Sequence, residues 1–195
     1  MRIAAAAIAV SAFSATAASG ATLIDFTAAD PWVDPNVTVP VLGSDVSLET
    51  PVGFLTNRPY DGASPSAPLK SERDGIGIID DEITFGQELT VNFGGPGLKV
   101  SGFYFLDMFI ADDGTEFEVA EVELSDGSSF SFDATEVFTP TGPGFLYAPL
   151  DAPVLASWAL FKPSETNDRN ANADYALAGI EISAAHVAPV PLPGG

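Results

Sequence analysis

The chain has 195 residues, with 27 acidic side chains against 7 basic ones, a net charge of −20 and no cysteine. Such a charge repels nucleic acids and anionic lipid surfaces, so we expect neither as a partner. Without cysteine there are no disulfides, zinc–thiolate sites or cysteine nucleophiles, so the fold must depend on its core and on any bound ions.

Residues 1–21 are typical of a signal peptide. Arg2 supplies a positive start, residues 3–13 form an apolar stretch too short to span a bilayer, and Ser19 and Ala21 are small residues at positions −3 and −1 of a cleavage site. We predict that signal peptidase cuts after Ala21 and that residues 22–186 form a single domain. No later apolar stretch is long enough to span a membrane, so we expect no stable membrane insertion of the chain as given.

The body of the chain has the period-two hydrophobic pattern of β-strands. The strand-like runs are residues 89–93, 130–132, 154–161 and 175–182, whereas 28–68 indicate long loops with one or two short strands. Many short strands, 18 glycines, 16 prolines and no convincing amphipathic helix predict an all-β, antiparallel β-sandwich of jelly-roll type. A barrel is the main alternative.

Two kinds of local signal refine this prediction. Asp113-Gly114 and Asp126-Gly127 each lie between strand-like runs and predict tight hairpins, because glycine readily adopts positive φ. The apolar residues change parity within 116–124, which predicts a bulge near Ala120 or Glu121, and change again at Gly179, which predicts a second bulge.

Acidic and amide side chains in loops predict calcium binding, since calcium prefers six to eight oxygen ligands. No base occurs between Lys99 and Lys162, so the acids of that stretch have no local cationic partner. None of the loops has EF-hand spacing, and a solvated acidic face that keeps the protein soluble is the alternative. The predicted calcium ligands are Asp74, Asp80, Asp81, Glu82, Asp168 and Asp174.

Residues 187–195 form a proline-rich tail, which we expect to be an extended spacer. Within it, Val190-Pro191-Leu192-Pro193 resembles the sorting motif of bacterial PEP-CTERM proteins, in its VPLPA-CTERM variant. The segments 21–26 and 174–182 also resemble the first and last strands of such proteins.

This resemblance implies a secreted or cell-surface protein of a Gram-negative bacterium. Its partners during export would be signal peptidase and exosortase, the membrane protease that removes the anchor of such proteins. In that family an apolar helix and a basic run follow the motif, and neither is present before Gly195, so the sorting expectation concerns a longer parent protein. Related calcium-stabilised jelly rolls pair an acid of the first strand, here Asp25, with one near the last strand, where this chain instead has Ala178-Gly179.

The sequence gives little support for catalysis. His186 is the one histidine and lies after the last strand, which argues against a serine triad or a histidine metal site. We predict a non-enzymatic structural or adhesive module of the cell surface or extracellular matrix. One alternative is a calcium-assisted carbohydrate-binding module that stacks Trp32 on an extracellular polysaccharide; another is a paired-carboxylate glycosidase, which only geometry can identify.

Overall fold

The computed structural model describes residues 20–29, 32–34, 37–65, 67–111, 114, 116–164 and 174–185. These residues form fourteen strands, and no helix among them is long and apolar enough to span a membrane. In chain order the strands are β1 (Thr22–Asp25), β2 (Val39–Val41), β3 (Ser44–Glu49), β4 (Leu55–Thr56), β5 (Gly77–Ile78), β6 (Leu89–Phe93), β7 (Leu98–Leu106), β8 (Phe109–Ile110), β9 (Val119–Leu124), β10 (Ser129–Asp133), β11 (Glu136–Val137), β12 (Leu146–Ala156), β13 (Trp158–Pro163) and β14 (Ala176–Ala184).

Two antiparallel sheets pack together, which confirms the predicted all-β sandwich. The first sheet has the strand order β1-β14-β7-β12, and the second has the order β10-β9-β13-β6-β3-β2. Two small two-stranded sheets, β4-β5 and β11-β8, lie in the connections. The described part of residues 28–68 contains three short strands, β2, β3 and β4, where the sequence indicated one or two.

The core lies between the two sheets and is rich in aromatic rings. Leu89, Val91 and Phe93 alternate with polar residues along β6 and are fully buried, as their period-two spacing predicts. Phe103 of the first sheet meets Phe161 of the second edge to face, with ring centroids 5.5 Å apart. Such burial and ring packing are the main favourable terms that hold the two layers together.

The described residues of the loop that joins β4 to β5 cover part of the outer face of the first sheet. Its Tyr60 and Leu69 pack against a small cluster on this face that includes Tyr104 and Leu106 of β7. Asp25 fastens this loop, because its carboxylate accepts hydrogen bonds from the backbone amides of Thr27 (2.9 Å) and Lys70 (3.0 Å). Asp25 therefore has a local structural role as an acceptor of backbone hydrogen bonds.

Two of the predicted local features are confirmed. Asp126-Gly127 forms the turn between β9 and β10, and Gly127 has a φ of +89°. The pairing of β14 with β7 shifts register between Leu177 and Gly179, where the parity change predicted a bulge. The carbonyl oxygen of Ile24 would lie 2.9 Å from a Cβ at Gly179, so the neighbouring strand also favours glycine there.

Two other predictions are wrong. There is no bulge at Ala120 or Glu121, since β9 pairs regularly with β10 and β13; the parity changes because Phe117 lies outside β9 and bridges Ile110 instead. The apolar run 154–161 is also not one strand. It breaks at Ser157, where the chain passes from β12 in the first sheet to β13 in the second.

Candidate acidic site at one end of the sandwich

Four carboxylates from separate parts of the sequence meet at one end of the sandwich. Asp107 directly follows β7, and Asp174 lies just before β14, whose first residue pairs with the last residue of β7. Glu118 directly precedes β9, and Glu82 lies in the connection between β5 and β6. We call Glu82, Asp107, Glu118 and Asp174 the end cluster; all four are partly buried.

Asp174 is the central member, because its carboxyl group hydrogen-bonds those of Glu82 and Glu118. Burial, followed by the charge of Asp174, raises the pKa of Glu82 well above its usual range. Burial raises the pKa of Glu118 in the same direction, against the backbone amide of Phe109, which donates to Glu118 at 2.6 Å. Two carboxyl groups hydrogen-bond only if one holds a proton, so these groups cannot all be ionised as they stand.

Asp107 joins this group to a second set of acids. Burial raises the pKa of Asp107 to about 7, and the charges of Asp74, Asp81, Asp61 and Asp174 act in the same direction. Its backbone has a φ of +54°, a left-handed conformation that aspartate and asparagine tolerate better than most residues. This conformation places Asp107 at the point where β7 ends and the chain turns toward β8.

Asp74 is the most buried of the neighbouring acids, with 4% of its surface exposed. Burial raises its pKa to about 7, helped by the charges of Asp61 and Asp81 and opposed by Arg58. Arg58 forms an exposed ion pair with Asp81 at 3.3 Å. The positive charge of Arg58 thus offsets only part of the repulsion between the acids at this end.

The structure brings together part of the predicted calcium set. Glu82 and Asp174 belong to the end cluster, while Asp74 and Asp81 act on it electrostatically through Asp107. Asp80 instead accepts a hydrogen bond from the amide of Glu82 within its own turn, at 3.4 Å. Asp168 lies outside the described residues, as do the hairpin residue Asp113, His186 and the sorting motif Val190, Pro191, Leu192 and Pro193.

Sequence reasoning missed two members of the cluster, Asp107 and Glu118. Both lie in the acidic stretch between Lys99 and Lys162 that has no base. In the structure Asp107 directly follows β7 and Glu118 directly precedes β9. An acid at the end of a strand was the signal that could have identified them. It could not be used without knowing which strand ends meet in space.

Trp32 has a different environment from the one predicted. Its side chain is 7% exposed and belongs to the core, where it packs edge to face on Phe26 with ring centroids 4.9 Å apart. A buried indole has no free face to stack on a sugar ring, so the predicted ligand platform at Trp32 is wrong.

Carboxylate oxygens are the ligands that calcium prefers, so the chemistry of the end cluster suits a hard divalent cation. Within the described ranges, however, no three acidic, histidine or cysteine side chains already stand in a metal-binding arrangement. Metal binding would therefore require the side chains to rotate away from their present mutual hydrogen bonds. Partial exposure of the four side chains leaves room for that change.

Comparison with known proteins gives no family for this chain. No protein-family model matches it, and no curated protein matches it significantly.

Proposed function

We propose that this chain is an exported, non-enzymatic β-sandwich module of the bacterial cell surface or extracellular matrix, stabilised by calcium. The observation that carries the proposal is the convergence of Glu82, Asp107, Glu118 and Asp174 at one end of the fold. Calcium would neutralise these carboxylates without protonation. Calcium sites in extracellular modules have dissociation constants of roughly 10⁻⁴ to 10⁻³ M, so such a site suits a protein that works outside the cell.

The strand order supports assignment of the sandwich as a jelly roll. Eight strands, β1, β6, β7, β9, β10, β12, β13 and β14, divide into sheets ordered β1-β14-β7-β12 and β6-β13-β9-β10. Successive members of this set cross repeatedly between the sheets, as expected when two Greek keys form a double-sheet jelly roll. The β2-β3 hairpin then extends the second sheet beyond β6.

The geometry of the acids favours a non-catalytic role over the glycosidase alternative. A glycosidase pair needs carboxyl groups roughly 5 to 9.5 Å apart on either side of the scissile bond. Glu82 and Glu118 are each in hydrogen-bond contact with Asp174, which leaves no room for a sugar between those partners. The raised pKa of each follows from crowding and burial.

Calorimetric titration with calcium tests the proposed site. The purified domain should bind calcium, and Glu82→Gln should weaken binding by about tenfold or more, because it removes one carboxyl group that could ionise and bind the cation, with little change in shape. Asp133→Asn, which removes an exposed charge on β10, is the matched control and should bind like the wild type. Absence of calcium binding, or equal loss in both variants, would contradict the site.

Cell fractionation tests the export part of the proposal separately. The parent reading frame should yield a product that lacks residues 1–21 and is found on the cell surface or in the medium. Replacement of Pro191 and Pro193 by alanine should leave the product in the membrane fraction if exosortase reads the motif. A full-length product retained in the cytosol would overturn the export proposal whatever the result with calcium.

A further inference from the structure

An exposed tyrosine stands on the outer face of the first sheet. Tyr147 of β12 pairs in register with Tyr104 of β7, and their rings stack with centroids 4.6 Å apart and planes inclined by 27°. Tyr104 is 7% exposed and is packed against Leu106 and the covering loop. Tyr147 is 39% exposed, so its ring has a fixed support on one face and meets solvent elsewhere.

Gly102 makes this position possible. The Tyr147 ring crosses over β7 at Gly102, where a Cβ would lie 3.0 Å from the Cε2 atom and 3.2 Å from the hydroxyl oxygen. Any larger residue would push the ring away from the sheet. The missing side chain at Gly102 thus allows the ring to stand with one edge over the strand and one face against Tyr104.

A carboxylate fixes the far end of the ring. The Tyr147 hydroxyl donates a hydrogen bond to Oε2 of Glu181, which lies on β14, two strands from Tyr147 in the sheet. Glu181 pairs in register with Gly102. The glycine therefore lies beneath the ring, and the carboxylate lies beyond its hydroxyl group. The Glu181 side chain is partly exposed, so its carboxylate lies beside the Tyr147 ring within reach of solvent.

We propose that Tyr147 and Glu181 form a binding subsite for one sugar ring of a neutral hexose polysaccharide. The exposed aromatic face suits the apolar C–H face of a pyranose, and the adjacent carboxylate suits its hydroxyl groups. A purely apolar ligand would form no hydrogen bond with the Glu181 carboxylate, and a net charge of −20 disfavours acidic polysaccharides. The proposal names a partner for the surface module and in that sense rests on the proposed function, but sugar binding itself requires neither calcium nor export.

The support of the ring makes this subsite pre-organised. Stacking on Tyr104 and the hydrogen bond to Glu181 already restrict the Tyr147 side chain, so little rotamer entropy is lost when a ligand binds. Phe85 is similarly exposed, at 50%, but has no stacked ring partner among the described residues. It therefore provides a matched control for an exposed aromatic side chain without this support.

Affinity electrophoresis of the purified domain tests the subsite. The gels would contain a neutral β-glucan, a galactomannan or, as an acidic comparison, alginate, and each would be run with calcium and with chelator. We expect retardation by at least one neutral polymer in both conditions and none by alginate. Tyr147→Ala should weaken binding by about tenfold or more, Glu181→Gln by about threefold or more, and Phe85→Ala should have no effect.

Thermal melting of each variant keeps the result interpretable. Glu181→Gln preserves the shape of the side chain and an acceptor for the Tyr147 hydroxyl, so it tests the subsite even if Tyr147→Ala unfolds the protein. Absence of retardation by both neutral polymers, or equal retardation of wild type and folded Glu181→Gln, would overturn the proposal. A calcium-independent melt with sugar binding intact would instead contradict only the calcium part of the proposed function.

Discussion

Removal of one charge from the crowded end of the sandwich should stabilise the protein at neutral pH. Asp107→Asn is the sharpest such change, because asparagine has the shape of aspartate and tolerates the left-handed backbone at this position. The charge of Asp107 is opposed by burial and by Asp74 and Asp81. In chelator, we therefore expect the variant to resist urea better than the wild type.

The magnitude follows from the pKa of Asp107, which rises from 3.8 to about 7 on folding. Because the folded state holds its proton more tightly, the free energy of unfolding falls as pH rises through this interval, by about 1.36 kcal/mol per pH unit. The full loss is about 4 kcal/mol, and screening by water at a partly exposed site should reduce it to about 2 kcal/mol. The variant should lack this loss.

Urea unfolding at several pH values measures the effect directly. The free energies of unfolding of the two proteins should be similar at about pH 4. The difference in favour of the variant should grow up to about pH 7 and stay constant above that value. Asp133→Asn, on an exposed position of β10, should change the free energy of unfolding by less than about 0.5 kcal/mol. A variant no more stable than the wild type at about pH 8 would refute this account of the repulsion.

Three further predictions concern the fold. Gly77→Ala should lower the free energy of unfolding by about 3 kcal/mol or more in urea denaturation, because its Cβ would collide with the backbone of Asp81 and Glu82. Gly86→Ala is the control: its Cβ would meet no atom within 4 Å, so the variant should lose only about 1 kcal/mol, through its φ of +77°. Phe161→Ala should cost about 3 to 5 kcal/mol in the same assay, because it empties the centre of the core, and a cost similar to that of the exposed Phe85→Ala would contradict the assigned packing. Ile79→Gly should raise the melting temperature by a few degrees, since the φ of +71° strains a β-branched residue that is 51% exposed, and a lower melting temperature would argue against strain at this turn.

Much of the fold could be predicted from local patterns. The alternation in β6, the Asp-Gly turn between β9 and β10 and the parity break at Gly179 each depend on neighbouring residues, and all three are confirmed. The break at Ser157 was missed because apolar residues continue through it. Hydrophobic periodicity does not reveal that the chain passes from one sheet to the other there.

The candidate site could be predicted only in part, because its members come from different strand ends. Glu82 and Asp174 were predicted from polar loop composition, whereas Asp107 and Glu118 become members only when the ends of β7, β9 and β14 meet. Trp32 and Tyr147 illustrate the same limit for aromatic residues. Trp32 is buried against Phe26, whereas Tyr147 is held at the surface by its contacts with Gly102 and Tyr104.

Thermal melting with calcium and with chelator, at about pH 7.5, tests the central claim most directly. A site occupied at 100 times its dissociation constant stabilises the folded state by about 2.7 kcal/mol, which for a domain of this size raises the melting temperature by about 5 to 10 °C. Magnesium at the same concentration should have a smaller effect, because it demands stricter octahedral geometry. We predict that calcium produces this rise and that Glu82→Gln reduces it; identical melting curves with calcium and with chelator would contradict the claim.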